Sequence, residues 1–489
     1  MSGESVVGTA AARRRAVLGV RAALLLNVLA LPLSFVTNMI LGRISPEALG
    51  AYGAVQLFVG SAFTFLVFGG ANVFTRFVPA LEARDRIAFF RGYGAVVAVA
   101  FGAAVACALV VPGAAAWVLR RLGDPPAMVA IALLAASAVA AMTGWHLYAD
   151  RESTSAVAVE KLIVFGFFVI ALTALTGAGE PLRRGDTSFL WRGALIVYVV
   201  AAAVALFRLT RTPGFAARRR GWLLPPGFWS VAAYTHVDTL VTYVYVALAP
   251  SVIVLWVDLR TLGFLHAALR YTVLLAGFPV AVMAVLGPEL RRLVAGGDRE
   301  EASRQASFAV QVGMLVLAPI VLGLIAFAEP AMAIFGPNFA AQADVLRLVA
   351  PSVLSTPVVY CGASFAVAVG VFRSYLRASL FYVALAMGLL ALLVPVWGVR
   401  GAAAAMTLGA IVRMATTAAI LRREGFVPPA RVLVAWGCAA ASLAVMLTFH
   451  PPLPAAAALG ALLAVVFALL GRVRIDEFRR LARWGLGRI

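Results

Sequence analysis

The chain has 489 residues, of which 63% are hydrophobic and only 13% charged, with a mean hydropathy of +0.97. A soluble core of this size cannot bury so much apolar surface, so a soluble globular fold is excluded and the bilayer is the solvent for most of the chain. The net charge of +20 does not imply a nucleic-acid partner, because that reading needs a basic face on a soluble domain and no loop is long enough to hold one.

Apolar runs of about twenty residues recur from end to end without period-two alternation, which points to helices and not to a membrane barrel. Cutting at charged or Pro/Gly-rich punctuation predicts fourteen spans, near 22–41, 49–73, 93–119, 127–149, 156–178, 193–210, 228–250, 263–287, 306–328, 346–370, 376–396, 400–421, 430–449 and 454–471. The first follows Arg13, Arg14 and Arg15 and lacks a small-residue cleavage site, so it reads as a retained helix and not a removed signal peptide.

Charge tests the count. With a cytoplasmic N-terminus, 30 of the 41 basic residues fall in cytoplasmic segments, and nine face the other side: Arg43, Arg120, Arg121, Arg183, Arg184, Arg192, Arg260, Arg347 and Arg400. Arg270 and Arg413 lie inside spans. This asymmetry predicts both termini in the cytoplasm and an even number of helices. Cys107, Cys361 and Cys438 lie singly within spans, too scattered for a metal set or a disulfide framework. No metal or cofactor is expected.

The chain also reads as duplicated. LGAYGA (49–54) recurs as LGFLHAA (262–268), and WRGA (191–194) as VRGAAAA (399–405), each pair at the same place in a six-helix half. The expected fold is therefore an all-α polytopic membrane protein of about 14 transmembrane helices in two pseudo-symmetric six-helix bundles plus a C-terminal helix pair. The bundles span 1–210 and 228–425 and are joined by a cytoplasmic linker, 211–227, with Arg218, Arg219, Arg220 and Pro225-Pro226. Residues 426–489 form the appended pair and a basic amphipathic tail, with Arg479, Arg480 and Arg483 beside Leu481 and Trp484, suited to an anionic lipid surface.

Polar residues in hydrocarbon face a cavity or a partner helix, which singles out candidates. In the first span Asn27, Ser34 and Asn38 share one face, with Pro32 between them. In the seventh, Thr235, Asp238, Thr242 and Tyr245 follow three-to-four spacing, and Asp238 lies roughly 15 Å deep at 1.5 Å per residue. His266 and Arg270, at i and i+4 in the eighth span, are adjacent on one face. Arg270 can donate two parallel hydrogen bonds to a phosphate, or it can pair with Asp238; both readings stand. Arg43 and Arg76 sit at span ends, where interfacial anchoring is the simpler reading. Glu160 and Lys161 neutralise each other, and His146 with Asp150 make no metal site on their own. The sequence has no phosphate-cradling glycine loop, no nucleophile elbow and no glycosidase-type carboxylate pair, so it does not read as an enzyme.

Five segments carry a resemblance: LGRISPEALGAY (41–52), FGGANVFTRF (68–77), LGFLHAALRY with LGPELRRL (286–293), FGPNFAAQADVLRLV (335–349) and WGVRGAAAA (397–405). In this order they resemble the polysaccharide flippases of O-antigen type, within the multidrug/oligosaccharidyl-lipid/polysaccharide exporter superfamily. The sequence departs from the family pattern at Ile44-Ser45 and at Phe264-Leu265-His266. The resemblance implies a bacterial inner-membrane transporter that moves a polyprenyl-pyrophosphate-linked oligosaccharide to the outer leaflet by alternating access. It also implies membrane lipid, the lipid-linked glycan and other polysaccharide-assembly proteins as partners. Its site residues would be Arg270, His266, Asp238, Asn27, Ser34, Asn38, Thr242, Tyr245 and Arg43. A multidrug or cation antiporter of the same superfamily would instead make Asp238 central, and a lipid II-type flippase shares the architecture. A glycan polymerase or ligase would need a larger outer loop than the chain provides, and a transport-inactive scaffold would not need the embedded charges.

Overall fold

A computed structural model of the chain describes residues 29–150, 153–176, 179–212, 215, 221–243, 252–426 and 429–470. Every regular element among the described residues is helical, as an aliphatic chain in lipid requires if its backbone is to be hydrogen-bonded internally. The chain forms two compact units, Met1–Gly263 and Phe264–Ile489.

The first unit contains α1 (Leu29–Ile44), α2 (Pro46–Leu66), α3 (Gly70–Phe77), α4 (Ala83–Val110), α5 (Pro112–Arg121), α6 (Ala127–Ala149), α7 (Ser153–Ala174), α8 (Ser188–Thr210) and α9 (Phe228–Tyr243), and the opening turn of α10 (Leu259–Ala295). Helix α6 packs along both α7 and α8, which also pack on each other. The span predicted over 49–73 is interrupted: Gly69 and Gly70 take positive φ of 72° and 44°. A Cβ on Gly69 would lie 1.9 Å from the Thr235 hydroxyl of α9, so close approach as well as chain direction requires glycine there. The Tyr93 hydroxyl donates to the Phe68 carbonyl at 3.2 Å, satisfying an acceptor freed by the break. Around this point Phe74, Phe89, Tyr93 and Phe228 bury their rings together, in edge-on pairs and one tilted pair, Phe89 with Tyr93. Each such pair contributes about 0.5–1.5 kcal/mol beyond its burial. The third predicted span likewise begins earlier, at Ala83, and breaks at Val111 before Pro112, which cannot continue the helical ladder. From the segment before α9, the Leu223 amide donates to the Ala88 carbonyl of α4 at 3.0 Å.

Helices α2 and α10 cross at almost bare backbone. A Cβ on Gly50 would fall 1.7 Å from the Leu259 carbonyl oxygen, and one on Gly263 would fall 2.1 Å from that of Pro46. Glu47 and Arg260 flank the crossing with an N–O separation of 3.7 Å. The duplicated leucine–glycine pairs seen in the sequence are therefore the two sides of one helix contact, where small residues let backbones meet.

The second unit holds the rest of α10, α11 (Arg299–Ala326), α12 (Ala343–Val349), a 3-10 segment (Ala350–Ser355), α13 (Thr356–Val369), α14 (Phe372–Arg422), α15 (Arg431–Phe449) and α16 (Leu453–Leu470). Helix α11 starts at Asp298, whose side chain accepts the Glu301 amide as an N-cap. It packs against α13, α15 and α16, with Pro357 seated on Gly313 and Ala326 against Gly460. Helix α14 is two spans. Gly398 departs from helical geometry (φ 55°, ψ −132°), and the Arg413 guanidinium lies 5.5 Å from the Tyr382 ring centre. Side chains thirty-one positions apart would be roughly 46 Å apart along a straight helix, so the halves fold back antiparallel at Gly398.

Ten described helices are long and apolar enough to cross a bilayer, α14 counted once. Dividing α14 and adding α1, α2 and α9 gives fourteen among the described residues, matching the number of predicted spans. The chain is a multi-pass membrane protein.

The segment FGPNFAAQADVLRLV closes one end of the second unit by charge. Arg347, 4% exposed, donates to Asp344 and Glu329 at 3.0 Å each, and Arg400 reaches the other Asp344 oxygen at 2.9 Å.

Two consequences can be measured. Gly50→Val should destabilise the purified protein by about 1–3 kcal/mol or more, visible as a lowered thermal midpoint in detergent. Gly144→Ala, where a Cβ meets nothing within 4 Å, should stay within about 0.5 kcal/mol of wild type. Arg347→Met should lower stability by about 2–3 kcal/mol. That is less than a wholly buried pair would lose, because Arg400 still faces Asp344; adding Asp344→Asn should restore part of the loss.

Candidate substrate site

Helix α10 divides its work between two faces. Phe264 and Tyr271, seven residues apart, pack on Phe339 and Phe335 with ring centres 5.1 and 5.9 Å away, and the Tyr271 hydroxyl donates to the Ala331 carbonyl at 2.7 Å. These contacts fix the helix against the 328–340 segment and set the direction of its other side chains. Phe264 thus fills a packing position.

His266 and Arg270 lie one turn apart, as their spacing predicts. Arg270 Nη2 stands 2.8 Å from His266 Nε2. A guanidinium can only donate, so Nε2 is the acceptor. His266 is 4% exposed and Arg270 is half-buried. Arg270 lies eleven residues from the start of α10, roughly 16 Å along it, inside the apolar window Leu259–Met283. A permanent charge at that depth costs about 2.5–3.5 kcal/mol on insertion scales, so polar surroundings must offset it. The imidazole supplies one acceptor to the guanidinium, whose planar fork has the geometry for bidentate recognition of an anion.

The other sequence candidates are placed as follows. Ser34 lines a cavity of the first unit. Asn38 is fully buried and its Nδ2 donates to the Ser34 carbonyl at 2.6 Å, tying it to its own helix. Arg43 is exposed at the end of α1. Asp238 and Thr242 lie on α9, with side chains outside the described set, and Asn27 and Tyr245 lie outside the described residues, as does the basic tail. Lys161 Nζ lies 2.6 Å from Glu160 Oε1, and Asp150 pairs with Arg86. His146 is wholly buried between the rings of Phe74 and Phe90.

Arg413, which the sequence already places inside a span, is a second guanidinium of the second unit, held over Tyr382 by a cation–π contact. One feature went unread in the sequence. In the first unit, Ser34, Tyr52, Gln56, Val59, Gly60, Ile163, Val164, Phe167 and Tyr198 line a cavity of about 250 Å³. Its aromatic wall is built by Phe167, edge-on to both Tyr52 at 5.1 Å and Tyr198 at 6.3 Å. On α2, Tyr52, Gln56 and Val59 recur at helical spacing, a signal for one lined face that hydropathy alone hides. A larger cavity of about 620 Å³ along α7 and α8 is chiefly aliphatic, with Asp186 and Arg192 among its lining residues.

No family model and no curated protein sequence matches the chain. Solved structures do. The lipid II flippase MurJ in an inward closed conformation superposes with a TM-score of 0.69 at 15% identity, over 92% of this chain and 98% of that one. An inward-facing multidrug resistance MATE family transporter of the MOP superfamily gives 0.61 at 13% identity, over 86% and 96%. MATE in complex with MaL6 gives 0.54 at 15% identity, over 83% and 96%. The chain therefore has the helical transporter fold that MurJ and the MATE proteins share.

Proposed function

We propose that the chain is a transporter, and not an enzyme, which flips a polyprenyl-pyrophosphate-linked oligosaccharide from the cytoplasmic to the outer leaflet by alternating access. The cargo would be an O-antigen, capsule or exopolysaccharide repeat. The chain would sit in a bacterial inner membrane with both termini in the cytoplasm. The observation that carries this reading is Arg270, a guanidinium within a membrane-spanning helix that donates to buried His266. A charged sugar head cannot cross about 30 Å of hydrocarbon unaided, and a planar, permanently charged donor fork matches a pyrophosphate better than it matches a cation. The five sequence segments and the shared fold with a flippase support the same assignment.

The fold likenesses also favour two neighbouring readings: a lipid II-type cargo, by likeness to MurJ, and a multidrug or cation antiporter, by likeness to the MATE transporters. In the second, Asp238 would be the central residue and Arg270 would repel the substrate.

In a deletion strain complemented with Arg270→Ala, surface glycan should fall to less than about a tenth of wild type at an unchanged membrane protein level, the loss expected for one charge-assisted phosphate contact. Arg270→Lys should retain part of it, since lysine keeps the charge but not the fork. Normal surface glycan in the alanine strain would remove Arg270 from the site. Intact glycan with an altered drug-resistance spectrum on deletion would give the chain to the antiporter reading.

A further inference from the structure

The cavity of about 620 Å³ along α7 and α8 is an open groove with one polar end. The two helices run antiparallel and touch at glycines: a Cβ on Gly166 would fall 2.6 Å from a Val197 methyl, and one on Gly193 would fall 2.9 Å from the Ile170 δ-methyl. Small residues at both contacts bring the helices close, with Ile170 and Val197 buried beside them as the floor of the groove. Val169, Ile196 and Val200 are exposed and form its rims.

The charged lining gathers where α7 stops and α8 starts. Asp186, just before α8, accepts the Ser188 amide at 2.9 Å. Hydrogen bonds from Ser188 hold its carboxyl below the usual range, with a smaller attraction from Arg192. Arg192, one turn beyond Ser188, is exposed, and among the described residues it forms no ion pair. The neighbouring Arg184 is spent on Glu180 at 2.7 Å, and neither lines the groove. The mouth therefore holds one anion and one cation that are not joined to each other. From there the groove runs inward from Arg192 to Val200 on α8, roughly 12 Å, and from Thr173 to Leu162 on α7, roughly 16 Å. One leaflet of hydrocarbon is about 15 Å, half of the bilayer core.

Depth and charge together restrict the occupant. An aliphatic groove one leaflet deep suits a single acyl chain, and leaving it unfilled would forfeit the dispersion contacts of its floor. The two charges at the mouth choose the head: a guanidinium takes a phosphate, and a carboxylate takes an ammonium that carries N–H donors. A phosphoglycerol head brings no cation to Asp186, and a choline head brings a quaternary nitrogen with no N–H to donate. We infer that the groove between α7 and α8 holds one acyl chain of an ethanolamine phospholipid, whose phosphate meets Arg192 and whose ammonium meets Asp186. The site lies wholly in the first unit and holds whichever cargo the chain carries. A lipid bound there only when the helices are folded stabilises the α7–α8 pair by mass action.

The test uses the full-length protein in detergent, titrated with dioleoyl phosphatidylethanolamine, phosphatidylcholine or phosphatidylglycerol and followed by native mass spectrometry. Wild type should bind the first ethanolamine lipid about fivefold more tightly than either of the others, the worth of one solvent-screened charge contact. Asp186→Asn, which keeps an acceptor for the Ser188 amide, should erase that preference, and Arg192→Gln should weaken all three lipids. Ile196→Trp, which fills the groove from its exposed rim, should abolish the tight site for every head, while an unchanged lipid-free thermal midpoint shows that each variant is folded. Equal wild-type affinity for the three lipids would overturn the site. So would an ethanolamine preference that survives Asp186→Asn, or one that survives Ile196→Trp and so needs no groove. A phosphatidylglycerol preference lost in Arg192→Gln would give the mouth to an anionic head and overturn the ethanolamine assignment. A dimer that Ile196→Trp dissociates, or polyprenyl diphosphate binding that it abolishes, would give the groove to another occupant and overturn it as well.

Discussion

In hydrocarbon an unpaired amide or carbonyl has no water to turn to, so each interruption of a membrane helix must be made good by the protein itself. Three interruptions among the described residues show how. At Gly69 and Gly70 the Tyr93 hydroxyl takes up the Phe68 carbonyl. At Val111 the amide still donates to Cys107 while the Val111 carbonyl accepts from Ala114 and Ala115. Between α12 and α13 the helical path tightens into a 3-10 segment, and the Thr407 hydroxyl donates to the Leu348 carbonyl beside it. These repairs explain why short polar side chains sit within otherwise aliphatic helices, and they separate residues that maintain the backbone from residues available for a substrate.

That separation divides the recurring segments into structural and chemical parts. LGRISPEALGAY supplies Gly50 and Glu47 to a helix crossing, while its last residue, Tyr52, turns to the neutral cavity. LGFLHAALRY does the same on one helix: Gly263 meets the Pro46 carbonyl, Phe264 and Tyr271 seat the helix, and His266 and Arg270 carry the polar chemistry. FGPNFAAQADVLRLV contributes two phenylalanines to an aromatic cluster and an Asp344–Arg347 pair joined by Glu329 and Arg400. Glu329 and Arg400 are more than half exposed, so only the Asp344–Arg347 pair is withdrawn from water and the cluster adds little net stability.

The membrane helices were legible because apolar length is a strong signal and because fourteen spans leave a consistent charge asymmetry. Their ends were less so. Gly69 and Gly398 interrupt runs whose hydropathy does not change, and only the close approach of Thr235 or the fold-back of Tyr382 onto Arg413 reveals why the chain must turn there. Within the site, His266 and Arg270 could be paired from sequence because they share a helix, and local spacing determines such contacts. The cavity residues could not. Tyr52, Phe167 and Tyr198 come from three helices separated by more than a hundred residues between the first and the second, and aromatic residues at those positions are indistinguishable from ordinary lipid-facing or core residues until the helices are assembled.

The charged position on α10 and the neutral cavity of the first unit also differ in the kind of attraction they offer. A guanidinium holds its charge at every physiological pH, so its affinity for an anion is altered chiefly by hydration and by competing hydrogen-bond partners. His266, already an acceptor for Arg270, is such a competitor: under the proposed function a phosphate that took Nη2 would have to break that contact, which would lower the net affinity and favour release. A neutral cavity, by contrast, gains affinity only by matching shape and hydrogen-bond direction, and loses it when its helices shift by a fraction of an ångström. Strong but non-selective attraction from charge and weak but selective attraction from geometry are therefore complementary kinds of recognition.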